Sequence, residues 1–189
     1  MLKEIVVRNR SYRRFDESCA VSRELLLELV DLARQTASAA NKQPLRYILS
    51  SDAARNAVIF ENLAWAGYLP DWPGPGAGER PTGYIVILGD KEVSAEVAYD
   101  HGIAAQTILL GAVEKGLGGC MIASVGRANL RKALAIPERY EILLVIALGK
   151  PVETVVMDPI GPDGDVKYWR DENHVHHVPK RRLEDIVIG

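Results

Sequence analysis

Cysteine is almost missing from this 189-residue chain: it has two, Cys19 and Cys120, far apart and in no metal-binding or redox spacing. That excludes a disulfide framework and a cysteine-built metal knuckle, and makes a reducing cytoplasm the expected compartment. Long apolar runs are missing too. The longest, Ile142 to Leu148, falls far short of the ~20 residues that a membrane span requires. The opening residues, Met-Leu-Lys-Glu-Ile, lack the charged-then-apolar pattern of a signal peptide. Excess charge of either sign is also lacking. Lys and Arg number 23 against 25 Asp and Glu, so no global field draws the chain to nucleic acid or to an anionic membrane. There is no internal repeat and no Walker pattern. Gly116-Leu117-Gly118-Gly119 follows a helical pattern instead of opening one, so it reads as a helix C-cap and tight turn, not a pyrophosphate cradle. No Ser-His-Asp, Cys-His or paired-carboxylate arrangement for hydrolysis is legible.

What is present suits one domain spanning residues 1–189. The chain is 48% hydrophobic, enough for one sizeable core. Residues 2–9 predict a short amphipathic helix. Ser22 reads as an N-cap, with Leu25, Leu26, Leu29, Val30 and Ala33 at helical spacing behind it and Pro44 barring continuation. Strands are expected at 46–50, 84–88 and 141–148, the last ended by Gly149-Lys150-Pro151, and 120–124 reads as extended. Helices are expected at 53–65, 95–115 and 127–135. The stretch 68–81, with Pro70, Pro73, Pro75, Pro81 and three glycines around Trp72, cannot be regular. Residues 152–189 are too polar to build their own core, and are expected to wrap either this domain or a second subunit. Strands dispersed among more numerous helices point to an α+β or three-layer α/β sandwich.

Two basic clusters stand at opposite ends: Arg8-Asn9-Arg10-Ser11-Tyr12-Arg13-Arg14-Phe15 and Pro179-Lys180-Arg181-Arg182. The guanidinium fork gives bidentate bonds to phosphate, lysine adds a point charge, and a serine between arginines donates to a remaining oxygen. Either cluster alone reads better as a solvated face. A third feature is Ser38-Ala39-Ala40-Asn41-Lys42-Gln43-Pro44. Its amides suit the carbonyl and imide edge of a planar heterocycle, and its small residues permit close backbone approach; a polar helix terminus is the plainer reading. His174, His176 and His177, near Asp171 and Glu172, read as structural or exposed, with His174 and His176 on one side of a strand and His177 on the other. Their spacing is too loose for a metal site.

Together these segments resemble the nitroreductase family of FMN-dependent flavoproteins. RSYRRF is similar to that family's phosphate-binding Arg-Ser-x-Arg run, and SAANKQPLRYIL to its Ser-x-x-Asn-x-Gln-Pro segment. DHGIAAQTILLGAVEKGLGGCMIAS is similar to its central helix and Gly-Leu-Gly turn. IALGKP and PKRRLEDIV are similar to its strand end and closing Lys-x-Arg. The order matches and the likeness spans nearly the whole chain. It implies a three-layer α/β sandwich with an antiparallel-rich central sheet, in a homodimer that shares its FMN sites, with residues 152–189 wrapping the partner. Arg10, Ser11 and Arg13 would grip the phosphate, with Lys180 and Arg182 reaching it through the tail. Ser38, Ala39, Asn41 and Gln43 would lie along the ribityl chain and ring edge, and Ile122 and Ala123 behind the ring. The implied activity is transfer of two electrons from NADH or NADPH to a small electron-poor acceptor, such as a nitroaromatic, quinone or enone. A specialised dehalogenase or oxidase on the same scaffold, or a flavin-binding sensor or carrier without turnover, are the alternatives. Asn9 stands where many members have an arginine, and Leu45 where they have tryptophan. The segment around Trp72 replaces a longer insertion and is expected to act as a lid.

Overall fold

The computed structural model describes all 189 residues. Helix α1 spans Leu2–Arg8, strand β1 Phe15–Asp16, α2 Arg23–Arg34, β2 Leu45–Ser50 and α3 Ala53–Phe60. Strand β3 is Gly83–Asp90, α4 Asp100–Glu114, β4 Gly118–Ile122, α5 Arg127–Ala133 and β5 Tyr140–Pro151. Strands β6 (Val155–Pro159), β7 (Trp169–Arg170) and β8 (His176–Lys180) lie in the tail.

The main sheet is antiparallel throughout. β5 is its centre, pairing β3 on one side and both β4 and β1 on the other, while β2 closes the β3 edge. Every residue of β3 is buried because both faces are covered. Leu26, Leu29 and Ala33 of α2 and Ala104, Ala105, Ile108 and Ala112 of α4 pack on Ile85 and Ile87. On the opposite face, Ile59 of α3 and Leu130 of α5 pack on Tyr84, Val86 and Leu88. A bulge opposite Ile87/Leu88 skips Leu143 and shifts the phase of β5, so Ile142 joins Val145 and Ala147 on the second face. The result is the three-layer sandwich expected, with an antiparallel sheet.

Most element boundaries agree with the sequence, and the differences have physical causes. Ser22 caps α2, its Oγ accepting from the Leu25 N–H at 3.1 Å. Gly116, at φ 76°, ends α4 in a full Schellman turn: Leu117 N–H donates to the Ala112 carbonyl and Gly116 N–H to the Val113 carbonyl. Helix α4 starts at Asp100, not 95, because its buried first residue is engaged outside the helix by the 38–39 backbone and side chain. α3 stops at Phe60, not 65, because Leu63 bridges Val125 and Ala64 N–H donates to the Ser124 carbonyl. Gly149-Lys150-Pro151 does not end β5. The strand runs on to pair Asp16 and Phe15, and the bare Gly149 leaves room for the Phe15 ring, which an added Cβ would meet at 2.9 Å.

The tail holds strands that the sequence pattern does not announce. It forms a second sheet, β6-β8-β7, with β6 and β8 parallel. This sheet lies on its own chain. Glu153 and His176 are buried, Tyr168 packs on Tyr68 with ring centroids 5.0 Å apart, and the Arg170 guanidinium sits 4.1 Å from the Trp72 ring centre. The 68–81 stretch is irregular, as its prolines require, and is held between the core and the tail sheet. Trp65 is buried in the core against Gly74, where a Cβ would meet its ring at 2.6 Å.

Candidate functional site

The N-terminal run leaves α1 and crosses the start of β4. Ser11 bridges Gly119, and Tyr12 N–H donates to the Gly119 carbonyl at 3.0 Å. Gly118 permits this crossing, and Gly119 permits the close pairing of β4 with β5. A Cβ on Gly118 would meet the Tyr12 ring at 2.5 Å, and one on Gly119 the Ala147 carbonyl oxygen at 2.4 Å.

The crossing presents Arg10, Ser11 and Arg13 to the tail sheet. With Lys180, Tyr168 and His176 they line a cleft of about 220 Å³. Arg10, Arg13 and Lys180 have no carboxylate partner within 4.0 Å, although several other arginines do. Arg10 Nη2 donates to the Val6 carbonyl at the end of α1, Nη1 lies 2.9 Å from Met157 Sδ, and its buried Nε has no partner. Arg13 is fixed on three sides. Its Nη1 lies 3.2 Å from the Ser11 carbonyl and 3.2 Å from His176 Nε2, and its guanidinium carbon lies 4.9 Å from the Tyr168 ring centre.

Buried Glu153 locks this arrangement. One carboxylate oxygen accepts the backbone N–H groups of Arg13 and Arg14, and the other accepts from Arg170 at 3.0 Å. The charge that opposes the cations is therefore already engaged. Burial, and then the charges of Arg13 and Arg170, push His176 down to about 4, so its imidazole is neutral at neutral pH. Three cations without carboxylate partners, one of them with an orphaned buried donor, around a small cleft fit a phosphate monoester and reject a cation.

The second predicted group lies elsewhere. Ser38 and Gln43 line a cleft of about 230 Å³ with Arg34, Tyr47 and Asp100, and Ala39 lines a neighbouring one with Lys42 and Pro44. Asp100, the first residue of α4, fixes the loop: one oxygen accepts from Ser38 Oγ at 2.5 Å, the other from Ala39 N–H at 3.0 Å. Gln43 N–H donates back to Ser38 Oγ at 2.9 Å, and its side-chain amide donates to Asn41 Oδ1 at 3.1 Å. Ala40, Asn41 and Gln43 all have φ near +50°, a left-handed geometry that costs roughly 1–3 kcal/mol per non-glycine residue. Asn41 and Gln43 thus stand out from the surface with small residues beside them.

The structure thus unites Arg10, Ser11, Arg13 and Lys180, and groups Ser38, Ala39, Asn41 and Gln43 apart from them. It leaves three residues outside both groups. Arg182 lies by Gly161, Gly164 and Asp185 in another cleft. Ile122 is buried in the core, and Ala123 is exposed after β4.

Glu153, Tyr168, His176 and Asp100 were not identified from sequence as site residues. Only the alternation of the histidines hinted at His176, and the expected pairing with His174 does not form. His174 sits in a turn at φ 60°, while His176 and His177 on β8 take opposite faces. His177 bonds Asp158 at 2.8 Å and stacks on Trp169 at 4.7 Å.

The model of the nitroreductase family matches residues 6–150. YodC of Bacillus subtilis (strain 168), whose name assigns it provisionally as an NAD(P)H nitroreductase, is 24% identical over 196 residues, covering 88% of this chain and 97% of YodC. A nitroreductase family protein from Streptococcus pneumoniae TIGR4 has the same fold, with a TM-score of 0.69 at 16% identity over 86% of this chain and 96% of its own. An FMN-dependent nitroreductase from Clostridium difficile R20291 gives 0.63 at 24% identity, over 79% of this chain and 87% of its own.

Proposed function

We propose a function from one established premise: this chain belongs to the nitroreductase family. On this reading it is an FMN-dependent oxidoreductase that moves two electrons from NADH or NADPH to a small electron-poor acceptor. The observation that carries it is the cleft in which Arg10, Arg13 and Lys180 converge without carboxylate partners. Bound there, the cofactor would supply hydride chemistry, accepting from the nicotinamide and delivering to a nitroaromatic, quinone or enone in alternation.

The chain's own work is binding and orientation. Arg10, Ser11, Arg13 and Lys180 hold the phosphate, with Glu153 and Tyr168 keeping Arg13 in place. The amides of Asn41 and Gln43 address the ring edge. No side chain is needed as an acid or base, and none is assigned. Lys180 is the tail's contribution to the grip; Arg182 is peripheral.

The two groups line separate clefts, so one chain does not enclose a flavin. This supports a homodimer in which each flavin lies between the phosphate cleft of one subunit and the 38–43 loop of the other. The exposed apolar side chains support it too: Leu2, Val6 and Val7 on α1, which buries nothing, and Leu183, Ile186, Val187 and Ile188 at the end of the tail.

The test is direct. Protein purified from flavin-replete cells is yellow with FMN, and anaerobic stopped-flow mixing with NADH or NADPH bleaches it rapidly. Colourless protein that takes up no added FMN refutes the reading. Bound flavin that does not bleach leaves a flavin-binding protein without turnover.

A further inference from the structure

Met157 stands on the cleft side of the tail sheet. Side chains alternate along a strand, and the parallel register of β6 with β8 sets Val155 and Met157 on the face of His176, Val178 and Lys180. Val155, Val178 and Lys180 of that face line the cleft of Arg10 and Arg13. The Met157 side chain reaches Arg10: its Sδ lies 2.9 Å from Nη1, and the residue is 45% exposed. The rest of that guanidinium is committed. Nη2 donates to the Val6 carbonyl at 2.9 Å, and Nε is enclosed by protein. Nη1 is thus the part of Arg10 that can change partner, and a thioether now holds it. Thioether sulfur is a weak acceptor, so a phosphate oxygen displaces it at little cost.

Oxidation reverses that order. Hydrogen peroxide passes one oxygen atom to a thioether: the O–O bond breaks, an S–O bond forms, the sulfur gives up two electrons, and water leaves. The product is polar, and its oxygen carries the partial negative charge that a guanidinium N–H seeks. We infer that Met157 is an oxidation site that controls the grip on phosphate. As a thioether it yields Arg10 Nη1 to the ligand; as a sulfoxide, formed by hydrogen peroxide, it keeps Nη1 for itself. This rests on the reading of the cleft as a phosphate site. Exposure makes Met157 a ready target, and it is the one of three methionines whose sulfur bonds an arginine. Cys120, beside the same arginine run, is a poor one: it is buried, and burial pushes its thiol up, away from the reactive thiolate.

The test treats the full chain with hydrogen peroxide and maps the added oxygen by peptide mass spectrometry, which separates Met157 from Met1, Met121, Cys19 and Cys120. Apo-protein is then titrated with FMN and riboflavin by flavin fluorescence, and with inorganic phosphate by 31P NMR, before and after treatment. Oxidised wild type should bind FMN and phosphate about tenfold more weakly, the scale of a hydrogen bond to a charged group, and riboflavin as before. The two methionine sulfoxide reductases, one for each epimer, should restore the lost affinity. In M157L the same treatment should change none of the three affinities. An FMN loss in treated M157L as large as in treated wild type assigns the damage to another sulfur and overturns the inference. So does full conversion of Met157 with FMN and phosphate affinity unchanged, or a Met157 that stays unoxidised where Met1 is converted. The two readings fail separately. Untreated protein that binds phosphate but neither flavin overturns the FMN reading, and the phosphate titration still decides Met157. Untreated protein that binds none of the three overturns both.

Discussion

In the cleft of Arg10, Arg13 and Lys180, Arg13 is held by groups far along the chain, Glu153 and His176, and Gly118 of β4 makes space for the neighbouring Tyr12 ring. The Ser38–Gln43 loop is held by bonds within itself and by a single carboxylate, Asp100, while three of its residues take left-handed backbone. One region is a rigid socket assembled by the tertiary fold. The other is a short arch under local strain. A socket of permanent charges suits a charged terminus that is the same in every turnover. An arch held by few bonds to the rest of the chain suits the edge of a ring.

The comparison breaks most visibly at Glu153. Its replacement by Ala leaves Arg170, only 13% exposed, without its carboxylate, and frees two backbone N–H groups of the arginine run. Losing one member of a buried ion pair costs about 3–5 kcal/mol. Urea unfolding should show that loss, with the tail sheet exchanging amide protons first. A loss below about 1 kcal/mol, within the range of an exposed pair, would mean that the socket does not depend on the tail.

Arg13→Ala comes next. It removes a charged donor from the cleft, so FMN affinity should fall by about 1.5–3 kcal/mol with riboflavin affinity unaffected. Arg13→Lys should not restore it, because an ammonium cannot reach Ser11, His176 and a phosphate as a planar fork does. Lys180→Ala should weaken FMN in the same way and Arg182→Ala should not. The reverse order for these last two would place the tail's grip at Arg182 and refute the assignment made from the cleft.

Asp100→Ala tests the arch. Ser38 Oγ and Ala39 N–H lose their acceptor, at a cost of roughly 1–3 kcal/mol per unpaired donor where burial is complete and less here, where the loop is partly exposed. FMN and riboflavin affinity should fall together, since the loop addresses a part that both share. A loss confined to FMN would mean that the loop serves the phosphate.

The sequence was informative where periodicity and capping act locally. Ser22, Gly116 and the apolar spacing of α2 each announce their element, and the layered sandwich follows from strands dispersed among helices. The basic clusters were legible as residue types, and the resemblance joined them. Their separate fates were not. Lys180 and Arg182 are two residues apart, and only the β6–β8 pairing turns Lys180 to the cleft. The tail's low apolar content hid a sheet pinned by ion pairs and cation–π contacts instead of by a core. Glu153 and His176 were silent for the same reason. Their partners in the N-terminal arginine run lie more than 130 residues away, and no spacing rule relates residues at that distance.

The smallest expected effect is a divergence inside the tail itself, between adjacent residues of β8. His176 is held down to about 4, chiefly by burial, from an ordinary value of 6.5. The unfolded chain therefore takes up this proton before the folded one does. The stability tied to a neutral His176 is complete above about 6.5 and is lost as pH falls from there towards 4. His177 behaves in the opposite sense. Its bond to Asp158, and a weaker one to Asp171, raise it above 6.5, so its contribution is complete below 6.5 and disappears as pH rises through the raised value. NMR titration should resolve the pair, one imidazole titrating near 4 and its neighbour above 6.5. Thermal unfolding should show H177N losing stability relative to wild type at pH 5 but not at pH 8.5, and H176N losing less than wild type between pH 6.5 and 5. Two histidines titrating together near 6.5 would mean that the tail sheet does not close over the cleft, and the phosphate socket would then be no more rigid than the arch.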